Sequence, residues 1–546
     1  MITGGCPMKI SFLGAAHQVT GSRTLVEWKS GRYLLVDYGM EQGENDFVQA
    51  DLPVAPSAVE YVFLTHAHID HSGLLPLLCS QGFHGTVYCT GETENLCSIM
   101  LADSAHIQET DAAYETKKNL RHSGEAVLPL YTTEDAARTM ELFRPCEYGE
   151  MYMIDEGLSV RFTDAGHLLG SSFIELFLED NGQMRKLVCS GDVGNLNQPI
   201  IRNPQTVSEA DYLLIESTYG NRNHEETVSP IPVLTDILRQ TFSRGGSVII
   251  PSFAVGRTQE LLYFFREIKQ NHLLPEFESF PVYVDSPLAN EATAVFLQCS
   301  TDCLDQQTLD IMASGLNPIW FDGLYTTVSS DESKTLNTVS TPKVIISSGG
   351  MCEGGRIRHH LKHNLWDSRN TVLFAGYQAA GTLGRIIYDG ADSVKIFGEQ
   401  IDVKAQIAIL EGISGHADRK GLLQWLSGFK KLPSFVFVNH GDDDSCMDFA
   451  KTVTEQFGIP AMAPYAGSEY DLLKNEWIRL TEPVYRKAGK TEKADPSARK
   501  RKESAFEDLR AAVKALDLYT ESLCGHSNHE LKVLTNRIRS LITDQD

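Results

Sequence analysis

At 546 residues the chain is too long for one ordinary hydrophobic core, so two or more domains are expected. Hydrophobic residues make up 42% and charged residues 22%, which excludes a disordered chain, and no run approaches the roughly 20 apolar residues that span a bilayer. The formal net charge of −24, from 48 basic and 72 acidic side chains, argues against nonspecific gripping of polyanions, although divalent cations held in a cleft would attract phosphate whatever the outer surface does.

The first half reads as short strands. Lys9–Gly14, Thr24–Trp28 and Tyr33–Asp37 are strand-like, with a turn at Ser30-Gly31, and Val59–Thr65 follows. The apolar run Ile10–Ala16, behind a single Lys9, fits a first strand better than a signal peptide. Leu74–Gly82 and Glu92–Lys118 read as helices, and strands resume at Leu158–Thr163, Ser172–Leu178, Lys186–Ser190 and Tyr212–Glu216. Beyond Glu216 the rhythm becomes strand then helix. Ser247–Pro251 precedes Arg257–Lys269, Pro281–Asp285 precedes Leu288–Gln298, and Lys343–Ser347 precedes Arg356–Asn364, with Thr371–Ala375 next. Buried apolar runs alternating with helices predict a separate parallel-sheet domain at about 220–400. From about residue 403 strand and loop return, with Phe435–Asn439 ending at a histidine. Residues 486–502 hold eight Lys or Arg against Glu492 and Asp495 and read as a linker. Phe506, Leu509, Val513 and Leu516 then mark a helical tail. Eleven scattered cysteines form no CxxC pair, Cys299 and Cys303 coming nearest, which suits reduced thiols in a cytoplasm.

The strongest chemical signal is Thr65-His66-Ala67-His68-Ile69-Asp70-His71, directly after a strand. Imidazoles and a carboxylate converging in six residues suit zinc, and the rim of a sheet is where ligands collect. A solvated polar loop would show this pattern in roughly one chain in a thousand. Asp37, His167, Asp192 and Glu216 each sit just past or at the end of a strand. Each alone is more often a cap or turn residue; together they form an order.

That order, Asp37, then His66-x-His68-x-Asp70-His71, then His167 and Asp192, resembles the metallo-β-lactamase fold. The resemblance implies an αββα sandwich in which His66, His68 and His167 hold one zinc, Asp70 and His71 a second, Asp192 bridges, and Asp37 orients the cluster. The long α/β stretch after Glu216 is similar to the domain inserted in the β-CASP nucleases, closest to bacterial and archaeal relatives of the pre-mRNA cleavage endonuclease. Their extra motifs match Glu216 in Ile-Glu-Ser-Thr-Tyr-Gly, His416 in Ile-Ser-Gly-His-Ala-Asp, and His440 in Val-Asn-His-Gly, with Asp442 where the family usually has Glu. The resemblance covers the chain to about residue 480. It implies four segments: 1–217 and 401–480 as the two parts of the sandwich, 218–400 as the inserted β-CASP domain, and 481–546 as linker and tail.

The activity implied is hydrolysis of RNA, single-stranded, by two Zn2+ that activate water, with His440 closing the second zinc site. His416, oriented by Glu216, would act as the acid for the leaving oxygen. Endonuclease and 5′-3′ exonuclease modes stay open, as does a homodimer. Arg257, at a helix start, and Ser348, Gly349, Gly350 and Arg385, in glycine-rich strand-to-helix turns, are candidate phosphate contacts, against the plainer reading of tight turns. A DNA-directed nuclease is the main alternative, disfavoured because that branch tends to place an apolar residue where His440 stands. A small-molecule thioester or lactone hydrolase needs neither the inserted domain nor His416. A non-catalytic RNA-binding scaffold would lose ligands that this chain keeps, and a redox di-iron site would place Glu at His68.

Overall fold

The computed structural model describes residues 8–43, 45–120, 126–224, 229–379 and 381–486. The basic stretch from Lys487 and the helical tail expected beyond it lie outside the described residues. Among those described, no helix is long and apolar enough to cross a membrane.

Two large sheets face each other. The first has eight strands in the order Glu476–Arg479, Glu469–Asp471, Lys9–Gly14, Arg23–Lys29, Arg32–Tyr38, Val59–Phe63, Thr86–Thr90 and Phe143–Cys146. The second has seven: Ala461–Met462, Phe435–Asn439, Tyr212–Glu216, Gln183–Cys189, Ser172–Asp180, Leu158–Asp164 and Met151–Asp155. Period-two alternation splits their side chains between layers. Phe12, Trp28, Leu34 and Phe63 from one sheet meet Phe162, Leu176, Leu214 and Phe437 from the other in a common core. Residues of opposite parity face helices. Val436 and Val438 pack with Leu422, Leu426, Phe449 and Val453 of the helices Arg419–Ser427 and Asp443–Phe457. On the far side Leu35, Val62 and Val87 share a core with Leu75, Leu96 and Leu101. Helix, sheet, sheet, helix is the αββα sandwich that the resemblance implied. Each fully buried Leu or Phe in it contributes about 1.5–3 kcal/mol.

The third sheet is wholly parallel, in the order Leu324–Thr326, Val282–Val284, Val344–Ser347, Val248–Pro251, Thr371–Phe374 and Gln406–Ile409. Its central strands are buried on both faces, as apolar runs such as Val-Ile-Ile-Pro require. This sheet leaves the sandwich after Tyr212–Glu216 and returns it at Phe435–Asn439, and those two strands are parallel neighbours. Its last strand, Gln406–Ile409, lies beyond residue 400; it is an edge strand whose short apolar run is only partly buried. The strand-then-helix pattern also hides the helix Pro230–Ser243. Its Pro-Ile-Pro start looks like a breaker, but prolines sit comfortably in a first turn where N–H groups have no helical partner.

Candidate metal centre

The His66–His71 loop leaves the strand Val59–Phe63 and turns at once into the short helix Ile69–Ser72. It is clamped from the neighbouring strand end: Ser22 N donates to the Asp70 carbonyl and Met40 N to that of Ile69. Gly39 makes the approach possible, since a Cβ there would lie 1.7 Å from the Asp70 oxygen. The other parts arrive on strand ends of the facing sheet. His167 follows Leu158–Asp164, Asp192 follows Gln183–Cys189, Glu216 ends its strand, and His440 follows Phe435–Asn439. His440 donates its backbone N–H to Ala15, tying the two sheets together beneath the site.

All seven expected ligands converge. His66, His68, His167 and Asp192 form one group and Asp70, His71 and His440 another, with ligand atoms in each group within 4.8 Å of one another. Asp192 lies between them. Its Oδ2 is 3.5 Å from His66 Nε2 and 3.3 Å from His167 Nε2. Its Oδ1 is 3.3 Å from His71 Nε2 and 3.5 Å from His440 Nδ1. Asp70 Oδ2 is 3.6 Å from His440 Nε2.

The inward-facing nitrogens are selected by what holds the opposite side of each ring. His71 Nδ1 lies 2.7 Å from Asp37 Oδ2, and His167 Nδ1 is 3.1 Å from the Gly415 carbonyl. Thr65 Oγ1 lies 3.1 Å from His66 Nδ1 and donates to Asp37 at 3.0 Å, while Thr65 N donates to Asp37 Oδ1 at 2.8 Å. Asp37 is therefore a positioning carboxylate, held in left-handed backbone at φ 59°. Thr65 carries a role that the motif reading did not assign. The sequence did offer a signal, a hydroxyl immediately before the first histidine.

The electrostatics follow from burial. Desolvation pushes His66, His68 and His167 below the ordinary imidazole pKa, leaving them neutral with lone pairs free. Burial would also lower His71 and raise Asp192, but Asp192 and Asp37 lift the first, and His440 and His71 hold the second well down. Asp70 is held at about 2, burial being outweighed by the His440 hydrogen bond. Beside the cluster, His416 Nδ1 sits 3.2 Å from Glu216 Oε1 and 3.9 Å from Asp192 Oδ2. Burial opposes its charge, yet Glu216 and then Asp192 raise its pKa to about 9. Glu216 is itself pinned by the Val193 and Thr218 amides at 2.7 and 3.2 Å.

The candidate phosphate contacts are engaged within the protein. Arg257 spends its guanidinium on Glu260, one turn along its own helix, so a free bidentate fork is not presented. Arg385 pairs with Asp389 at 2.9 Å. The Gly349 N–H is used inside its loop on the Gly354 carbonyl at 3.4 Å, and Ser348 Oγ donates to Ser286 Oγ at 2.8 Å. Gly350 instead lies against the Phe253 ring. The helix carrying Arg257 does reach the centre: a Cβ on Gly256 would lie 3.1 Å from Leu168, the neighbour of His167.

Three family models match in chain order: the metallo-beta-lactamase superfamily over residues 19–122, the Beta-Casp domain over 258–387, and the Zn-dependent metallo-hydrolase RNA specificity domain over 400–464. Ribonuclease TTHA0252 of Thermus thermophilus is 37% identical over 445 residues, covering 81% of this chain and 95% of that protein. The chain belongs to the β-CASP family of the metallo-β-lactamase superfamily. Transcription termination factor FttA of Methanosarcina mazei is 30% identical over 476 residues, 84% of this chain and 70% of that protein. An RNase J-like protein of Methanocaldococcus jannaschii is 30% identical over 470 residues, 84% of this chain and 98% of that protein. As a β-CASP protein the chain is a hydrolase dependent on a divalent metal. Its residues fit that metal: Asp192 Oδ1 is buried with no hydrogen-bond partner, and it faces imidazole nitrogens, a donor set that suits zinc.

Proposed function

We propose that this protein hydrolyses phosphodiester bonds in single-stranded RNA. His66, His68 and His167 would hold one zinc ion, Asp70, His71 and His440 a second, and Asp192 would bridge them. The observation that carries this reading is Asp192, one buried carboxylate whose two oxygens face two separate groups of imidazoles. The ribonuclease name of a 37% identical relative and the match to an RNA specificity domain support RNA as the substrate. A single strand is favoured because the ligands are deeply recessed, His66 at 0% and His440 at 5% exposure, so one backbone must enter alone.

Bound zinc would supply Lewis-acid charge beside the phosphate and make water nucleophilic near neutral pH. The remaining work belongs to the chain. Asp37 and Thr65 keep the inward imidazole nitrogens aimed at the centre. His416, protonated at neutral pH, would deliver a proton to the leaving oxygen, and buried Glu216 would hold its ring in place for that transfer. Nine free cysteines among the described residues agree with a reducing cytoplasm. The test is incubation of purified protein with 5′-labelled RNA and with DNA of the same sequence, each with and without chelator. Cleavage of RNA alone, abolished by chelator and restored by zinc, is expected; equal cleavage of DNA, or indifference to chelator, would refute the reading.

A further inference from the structure

The parallel sheet ends beside the metal centre in a strip of aromatic side chains that the hydrolytic chemistry does not use. Phe253 follows the strand Val248–Pro251 and Tyr377 follows Thr371–Phe374, and these strands are sheet neighbours. Both rings are exposed, Phe253 at 40% and Tyr377 at 46%. The loops that carry them pack closely together. A Cβ on Gly350 would lie 3.1 Å from the Phe253 ring and one on Gly376 3.8 Å, so these glycines let the loops press against it. Buried Gln378 donates to the Gly350 and Tyr377 carbonyls at 2.9 and 3.0 Å, locking one loop to the other.

The strip lies close to the site: a Cβ on Gly256, three residues beyond Phe253, would lie 3.1 Å from Leu168, the neighbour of His167. The Arg222 guanidinium stacks on the Tyr219 ring at 4.7 Å, and Tyr219 lies 6.3 Å from the His416 ring, centroid to centroid. Arg222 pairs with no carboxylate among the described residues, whereas Arg257, Arg356 and Arg385 pair with Glu260, Asp285 and Asp389.

We propose that Phe253 and Tyr377 form a stacking platform for the bases of the strand flanking the scissile phosphate, with Arg222 on Tyr219 holding the next phosphate; this rests on the RNA reading above. The local arginines favour stacking: Arg257, Arg356 and Arg385 are each paired to a carboxylate, so few guanidinium groups beside the strip are left for phosphates away from the metal centre. Base–aromatic stacking supplies grip there, and it tolerates any sequence because every base has a π-face.

The experiment is steady-state cleavage of a short unstructured RNA by the zinc-loaded full chain, compared with Phe253→Ala, Tyr377→Ala and Tyr377→Phe. It is repeated with RNAs carrying one abasic nucleotide at successive positions and across a range of salt. Each alanine variant is expected to raise KM about 5- to 100-fold with kcat within about twofold, and Tyr377→Phe to keep KM near the wild-type value. An abasic nucleotide at the facing position should cost the wild type a similar factor and the matching alanine variant nothing more. The slope of log KM against log salt should stay below about 2, the signature of two or three phosphate contacts to a single strand. Unchanged KM in both alanine variants, an abasic penalty that persists in full in those variants, or a slope near 4 would overturn the platform while leaving the nuclease reading intact. A wild-type protein inert on RNA would overturn both.

Discussion

Asp192 and Asp285 are the same residue type, each past the carboxyl end of a buried strand, at 2% and 0% exposure, one in the sandwich and one in the inserted sheet. Their surroundings are opposite. Asp285 accepts from Thr327 Oγ1, from Ser333 Oγ at 2.5 Å, from Arg356 at 2.6 Å and from His360 Nε2 at 2.5 Å. Its lone pairs are met, its pKa is driven down despite burial, and the cluster needs nothing from outside. Asp192 has one oxygen with no hydrogen bond and faces ring nitrogens whose own outer sides are already held. A buried carboxylate oxygen left without a hydrogen bond is costly unless another charge meets it. A closed network locks a loop, and an open one is shaped around a cation.

The comparison breaks if the two carboxylates behave alike on removal. The largest effect is expected for Asp192→Ala, which should lose bound zinc and drop RNA cleavage by on the order of 10³-fold or more, read by metal analysis and initial rates. His416→Ala should cut kcat by about 10²–10⁴-fold while zinc content stays near wild type. Equal zinc loss in these two variants would erase the division between ligand and acid. Asp285→Ala should do the reverse of Asp192→Ala. It leaves buried His360 and half-buried Arg356 without their shared carboxylate and should cost about 3 kcal/mol in denaturant unfolding, with zinc stoichiometry unchanged in the protein that folds.

Smaller effects sharpen the picture. Asp37→Asn keeps the shape but weakens the hold on His71 and Thr65, so zinc affinity should fall about 10–100-fold by competition with a chelating dye. A loss confined to global stability would count against that role. Asp164, at 4% exposure, is a third kind of buried carboxyl: burial raises its pKa to about 7, against the Gly166 amide and Arg202. Because the folded value lies above the unfolded one, Asp164 costs nothing below about pH 4, an increasing amount from there to about pH 7, and its full penalty above. Asp164→Asn should therefore raise Tm by a few degrees above about pH 7 and by nothing near pH 4. A gain independent of pH would assign the effect to packing.

The proposed ligand set was legible because its members follow apolar runs that read as buried strands; Tyr212–Glu216 and Phe435–Asn439 emerge with the expected ends. Elements whose burial is partial were not. Met151–Asp155 and Gln406–Ile409 are edge strands whose short apolar runs stay partly exposed, and the proline-led helix Pro230–Ser243 carries misleading punctuation. Side-chain partnership was the least visible level. That Arg257 is spent on Glu260 could have been read from its i, i+3 spacing on one helix face. That Gly350 exists to receive the Phe253 ring could not, since the two come together only through the sheet.

The claim on which the rest stands is that one buried carboxylate divides two cation sites. Anomalous diffraction at the zinc edge from crystals of the zinc-loaded protein tests it directly. Two peaks flanking Asp192, one among His66, His68 and His167 and the other among Asp70, His71 and His440, are the predicted result; a single peak, or peaks that leave His440 uncoordinated, would contradict it.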